Sequence, residues 1–129
     1  MRAPLMLVVC LVAAPAVAAE KDCSEMRTQI EINECEHKKF KKADAALNAA
    51  YAKLAAKVST EGKAKLVEAQ RAWIKYRDTQ CEFETFGTIN GSIHPLEVAQ
   101  CEAELTMAQT KRLDGQLNCE EGDPSCGGQ

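Results

Sequence analysis

Residues 16–94 contain no proline, and the whole chain has only four. Nothing in that stretch is barred from continuous helix by a missing amide proton or a fixed φ. Aromatic residues are as sparse, at 5%, and no segment alternates apolar with polar side chains as a half-buried strand would. A sheet protein is thereby excluded. The side-chain groupings that chemistry needs are missing too. No two cysteines have C-x-x-C spacing and the two histidines, His37 and His94, are far apart, so no zinc pattern is present. No Gly-x-Ser-x-Gly elbow surrounds Ser92, although His94 lies close by. Glu82 and Glu84, like Glu102 and Glu104, sit two apart on helical segments, which aims them at different faces instead of one substrate. The expectation is a protein with no catalytic, cofactor-binding or metal-binding residues and no cofactor.

A basic excess is also lacking. The chain has 16 Lys+Arg against 19 Asp+Glu, a formal net charge of −3. Phosphate binding needs a clustered basic surface, so a nucleic-acid partner is not expected. The one basic run, Lys38-Lys39-Phe40-Lys41-Lys42, is flanked by Glu34, Glu36 and Asp44 and reads as the solvated face of a helix.

Long apolar runs are confined to residues 1–19. Arg2 supplies a positive start, Leu5 to Val12 an apolar core and Ala16-Val17-Ala18 a small-residue cleavage site, the organisation of a secretory signal peptide. A membrane anchor would need about 20 apolar residues, and here Pro4 and Pro15 interrupt a shorter run. Cleavage near Ala19 or Glu20 removes Cys10 and Arg2, which takes the net charge to −4 and leaves no membrane attachment. The expected organisation is a signal at 1–19, a helical domain at 20–118 and a flexible cysteine-containing tail at 119–129. Its compartment would be the periplasm or the medium.

What remains after cleavage is rich in cysteine for its size. Cys23, Cys35, Cys81, Cys101, Cys119 and Cys126 form an even set, which in an oxidising compartment implies three disulfides. Each contributes on the order of 2–4 kcal/mol, a large share of the stability of a small domain.

Three helices account for residues 28–117. The first opens at Thr28-Gln29-Ile30-Glu31, the spacing of a capping box. Phe40, Ala43, Leu47, Ala50 or Tyr51, Leu54 and Val58 then recur three or four apart, as one buried face requires. Ser59-Thr60-Glu61-Gly62 predicts a tight turn. The second helix carries Leu66, Ala69, Trp73, Tyr76, Cys81, Phe83 and Phe86 as its apolar stripe, with Gly87 as a left-handed stop. Residues 87–94 form a loop, Pro95 opens the third helix, and Val98, Cys101, Leu105, Ala108, Leu113 and Leu117 face its core. The fold class predicted is all-α, a small disulfide-stapled three-helix bundle built on a long antiparallel helical hairpin.

In such a hairpin Trp73 falls opposite Leu47 and Asp44, Tyr76 opposite Ala43, and Arg77 beside Asp44. Trp73, Tyr76, Arg77 and Asp44 are thus expected to be structural core, with Arg77 and Asp44 as a partly buried ion pair. Two disulfide frameworks fit. The nested one pairs Cys23 with Cys35, Cys81 with Cys101 and Cys119 with Cys126; the other joins Cys35 to Cys81 and Cys23 to Cys101. Six cysteines allow 15 connectivities, and the chain alone does not choose, although the nested set is favoured.

Several blocks resemble the N-terminal domain of the LprI-like lysozyme inhibitors, small secreted bacterial proteins. They are Thr28-Gln29-x-Glu31-Ile32-Asn33-x-Cys35, Ala43-Asp44-x-x-Leu47-Asn48-x-x-Tyr51, Gln70-Arg71-Ala72-Trp73-Ile74-x-Tyr76-Arg77-Asp78-x-x-Cys81, Gly91-Ser92-Ile93 and Cys101-x-x-x-Leu105-Thr106. The resemblance spans residues 23–117, with Cys119 and Cys126 outside its pattern. It implies a protein that binds another protein, with lysozyme as the partner and inhibition as the outcome. The segment most suited to binding is the loop, where Ile89, Asn90, Ser92, Ile93 and His94 sit between two rigid helices, so that little entropy remains to be lost on docking. A cell-envelope structural or stress component, or an immunity-type protein that binds a secreted toxin, is the alternative.

Overall fold

The computed structural model describes residues 22–120 and 122–127. The segment 1–19 read as a signal peptide lies outside the described residues. Three helices make up most of the rest: α1 (Gln29–Lys57), α2 (Thr60–Glu84) and α3 (His94–Leu117), with 3-10 turns at Cys23–Glu25 and Phe86–Thr88. No strand occurs among the described residues.

The helix ends follow local chemistry. Thr28 is extended and its hydroxyl accepts from the Glu31 amide, while the Glu31 carboxylate accepts from the Thr28 amide at 3.0 Å, which closes the capping box. Only Val58 and Ser59 separate α1 from α2, and the Ser59 hydroxyl accepts from the Gly62 amide at 3.1 Å. The turn is therefore tighter than residues 59–62, and Gly62 lies inside α2. Pro95 stands in the first turn of α3, where no amide proton is needed.

Asn33 Nδ2 donates to the Ser92 carbonyl at 3.0 Å, and Lys57 Nζ donates to the Leu117 carbonyl at 2.8 Å. The start of α1 therefore lies beside the start of α3, and the two C-termini lie together. α1 and α3 run parallel, with α2 antiparallel to both. The long antiparallel α1–α2 hairpin is present as predicted, and within the bundle α1 packs most closely against α3. Interaxial distance follows the side chains at the contact. Ala43 and Ala50 on α1 and Ala99 and Ala103 on α3 are buried and small, so these two axes approach. The longer Leu66, Trp73 and Arg77 hold α2 further out.

Leu47, Ala50, Leu54 and Leu113 form the core, with Tyr51, Val58, Leu66, Trp73 and Leu117 packed against them. This core occupies the end where α1 turns into α2. Toward the other end the buried apolar residues are Ala43, Ala99, Ala103, Cys23 and Cys81, all small. Cys23–Cys35 and Cys81–Cys101 fasten that end, with Cα atoms 5.6 and 5.7 Å apart, and Cys119–Cys126 closes the tail at 5.7 Å. The pairing is the nested one.

Three details correct the reading from sequence. Tyr76 is 51% exposed, Phe83 76% and Phe86 69%, so none of them belongs to the core. The row of α2 that faces inward is Leu66, Gln70, Trp73, Arg77 and Cys81, so that Gln70 and Arg77 take the inward places predicted for Ala69 and Tyr76. On α3 the buried row is Ala99, Ala103, Thr106 and Leu113, while Ala108 is exposed. Gly87 sits in a 3-10 turn, and Asn90 takes the left-handed conformation at φ 74°. The tail meets the end of α3, where Gln116 donates to the Ser125 carbonyl at 3.1 Å and accepts from the Gly127 amide at 2.7 Å.

Candidate functional site

Two groups of residues stand out, an inward polar cluster and the outward loop between α2 and α3. The polar cluster centres on Arg77, which is 9% exposed. Its guanidinium lies 5.2 Å from the Phe40 ring and 5.4 Å from the Trp73 ring, and it donates to Asp78 at 2.9 Å and to Asp44 and Thr106 at 3.4 Å. Flat, delocalised and weakly hydrated, an arginine suits such a sandwich better than a lysine would. The contacts reach all three helices, so the cluster sets their register. Glu102 approaches it from α3, and burial pushes its carboxyl above the ordinary value of 4.5, against the pull of Arg77. Displaced titration often marks catalytic acids. Here the group stands at a helix junction already filled by side chains, which favours a structural role.

The loop is held by its own backbone. Thr85 caps α2 with its hydroxyl donating to the Cys81 carbonyl at 2.7 Å, and Thr88 does the same to the Thr85 carbonyl at 2.9 Å. Asn90 turns left-handed, which an asparagine tolerates better than a branched residue. The Gly91 amide then donates to the Thr88 carbonyl at 2.8 Å, and a Cβ on Gly91 would stand 3.0 Å from that oxygen. Glycine avoids this close approach, which any other residue would relieve only by shifting the Thr88 carbonyl a few tenths of an ångström. The His94 amide returns to the Gly91 carbonyl at 3.1 Å. His94 Nδ1 lies 3.1 Å from the Thr88 hydroxyl. This contact ties the imidazole to the loop, with the donor set by the imidazole tautomer.

Exposed on this frame are Ile89, Asn90, Ser92 and Ile93, with Phe86 just before them. His94, read from sequence as a contact residue, is half-buried and belongs to the loop's internal support. Its Nδ1 faces the Thr88 hydroxyl and not Ser92, its neighbour in sequence. Phe83 and Phe86 were misplaced by the sequence reading. The signal that could have found them was present: Leu66, Gln70, Trp73, Arg77 and Cys81 also recur at helical spacing, which sets the two phenylalanines on a second face. In the tail, the Asp123 carboxyl lies near the sulfurs of Cys119 and Cys126. Both sulfurs are joined to each other, so neither is the thiolate a metal would need.

Comparison with known proteins adds two findings. The family described as lysozyme inhibitor LprI matches residues 19–113. An uncharacterized protein of Rhizobium meliloti (strain 1021) is 36% identical over 121 residues, covering 84% of this chain and 87% of its own. No solved structure matches.

Proposed function

This chain belongs to the LprI lysozyme inhibitor family, and on that premise we propose that it is a protein-binding module that inhibits a lysozyme by seating the loop of residues 86–94 in the enzyme's cleft. We further propose that residues 1–19 direct export, that the domain and its tail work in the periplasm or the medium, and that the protein performs no reaction of its own. The disulfides fit an oxidising compartment. No helix among the described residues is long and apolar enough to cross a membrane.

The observation that supports this reading best is the loop. It presents Ile89, Asn90, Ser92 and Ile93 to solvent on a backbone already fixed by Thr85, Thr88 and Gly91 and anchored to α1 through Asn33. The Cys81–Cys101 disulfide ties the helices on either side of it. Preorganisation of this kind raises affinity by removing the ordering cost of docking. Lysis of peptidoglycan by a c-type lysozyme, followed by turbidity with and without the purified protein, tests the proposal. Near-stoichiometric amounts should slow lysis. Undiminished lysis at a large molar excess would remove the inhibitor assignment.

A further inference from the structure

We infer that the whole end of the bundle around the loop is a docking face for a cationic protein, one whose basic surface surrounds an apolar recess. This rests on the reading of the chain as a protein-binding module and extends it in area and in the chemistry of the partner. Ile30, Phe83, Phe86, Ile89 and Ile93 are 71%, 76%, 69%, 53% and 41% exposed. All lie where α1 begins, α2 ends and α3 begins, the end that Cys23–Cys35 and Cys81–Cys101 hold. Single exposed apolar residues are ordinary on a soluble protein, but a concentration at one end of a rigid bundle is the pattern of an interaction face.

Charge selects the occupant. Glu25, Glu34, Glu82, Glu84 and Glu97 stand at this end against Arg27 and Lys38. At the opposite end Lys53, Lys57, Lys63, Lys65, Lys111 and Arg112 are nearly balanced by Glu61, Glu68, Asp114 and the tail residues Glu120 and Asp123. A helix of the 29 residues of α1 is about 43 Å long, several times the Debye length of roughly 8 Å at physiological salt. The two ends therefore present separate fields, negative around the apolar residues and close to balanced far from them. A second copy of this chain docking end to end would bring like charges together, whereas a basic partner is steered to the acidic end and turned by the dipole.

The test introduces a photocrosslinking residue, p-benzoylphenylalanine, by the substitution Phe86→p-benzoylphenylalanine in the full chain expressed in its own host. The same residue at Lys63 serves as the control. The expected result is an adduct from position 86 with one protein of basic isoelectric point, weakened when Glu82→Lys is added, and none from position 63. No adduct from 86, an acidic partner, or equal labelling from 63 would overturn the inference. A basic partner other than lysozyme sustains it while removing the lysozyme assignment. Calorimetry with a c-type lysozyme gives the converse separation. If lysozyme binds, the double substitution Phe83→Ser and Phe86→Ser, at exposed positions with the helical circular dichroism unchanged, should weaken it about tenfold or more. Binding that survives that change intact would sink the docking face and leave the inhibitor reading standing.

Discussion

At the residue scale the bundle depends on one cation. Arg77 is the inward charged residue of α2, and Asp44, Asp78, Thr106 and two aromatic faces converge on it. Removing one member of a fully buried pair costs about 3–5 kcal/mol. Asp44 and Asp78 keep 30% and 44% of their side-chain exposure and can recover water, so Arg77→Ala should cost less, about 2–3 kcal/mol in urea unfolding. Arg77→Lys should recover less than half of the loss, because an ammonium group cannot stack on Phe40 and Trp73 while serving two carboxylates. Full recovery by lysine would mean that charge alone matters. Glu102 gives a second prediction. Its folded-state carboxyl is raised chiefly by burial, so the native state holds a proton more tightly than the unfolded chain. Stability from this group is present at acid pH and is lost as pH rises through the folded value. Glu102→Gln should therefore stabilise the protein at neutral pH and flatten the fall of its melting temperature above the ordinary carboxylate range. An unchanged slope would show that burial does not raise this carboxyl.

At the scale of elements, what could be read from the chain divides by the range of the interaction. Helix ends are legible because the capping partners lie within four residues: Thr28 with Glu31, Ser59 with Gly62, and Pro95 in the first turn of α3. The face of α2 was not, because it has two rows at helical spacing. Apolar content favours the row of Tyr76, Phe83 and Phe86, yet the row that turns inward carries Gln70 and Arg77, whose partners Gln109, Asp44 and Thr106 lie on other helices. A buried polar side chain is admissible only when partnered; hairpin register exposes the Arg77–Asp44 pair, whereas the partners on α3, Thr106 and Gln109, are invisible along the chain. The choice of α3 over α2 as the close neighbour of α1 has the same origin, since alanines look neutral in a hydropathy pattern while setting how near two axes come. The loop's location was legible from its glycines and short polar residues, but not that His94 would turn to Thr88. Close α1–α3 packing makes a contrast testable. Ala103→Leu, at a residue 8% exposed, should cost about 1–3 kcal/mol through overpacking. Ala69→Leu on the exposed side of α2 should stay within about 0.5 kcal/mol of wild type. Equal effects at the two sites would contradict the tight interface.

At the scale of the whole molecule, the bundle is held by different means at its two ends. Leucines and Trp73 close one end, while the buried apolar residues of the loop end are all small and that end relies on two disulfides, the Arg77 cluster and the Asn33–Ser92 hydrogen bond. An end freed from burying large side chains can leave its phenylalanines and isoleucines in solvent, and that leaves it available to a partner. The disulfides then carry both stability and preorganisation, and one variant separates the two. Replacing Cys81 and Cys101 with serine opens a loop with a sequence separation of 20, for which chain entropy implies a loss of about 3 kcal/mol. The apolar core is remote from the break, so the helical circular dichroism should persist at low temperature with a lower melting point. Binding should weaken through slower recovery of the docking-competent loop, although no contact residue has changed. Amide exchange at residues 86–94 should accelerate more than exchange in α1 around Leu47 and Leu54. Uniform acceleration across both regions would mean that the disulfide stabilises the bundle as a single unit and that the loop owes nothing special to it.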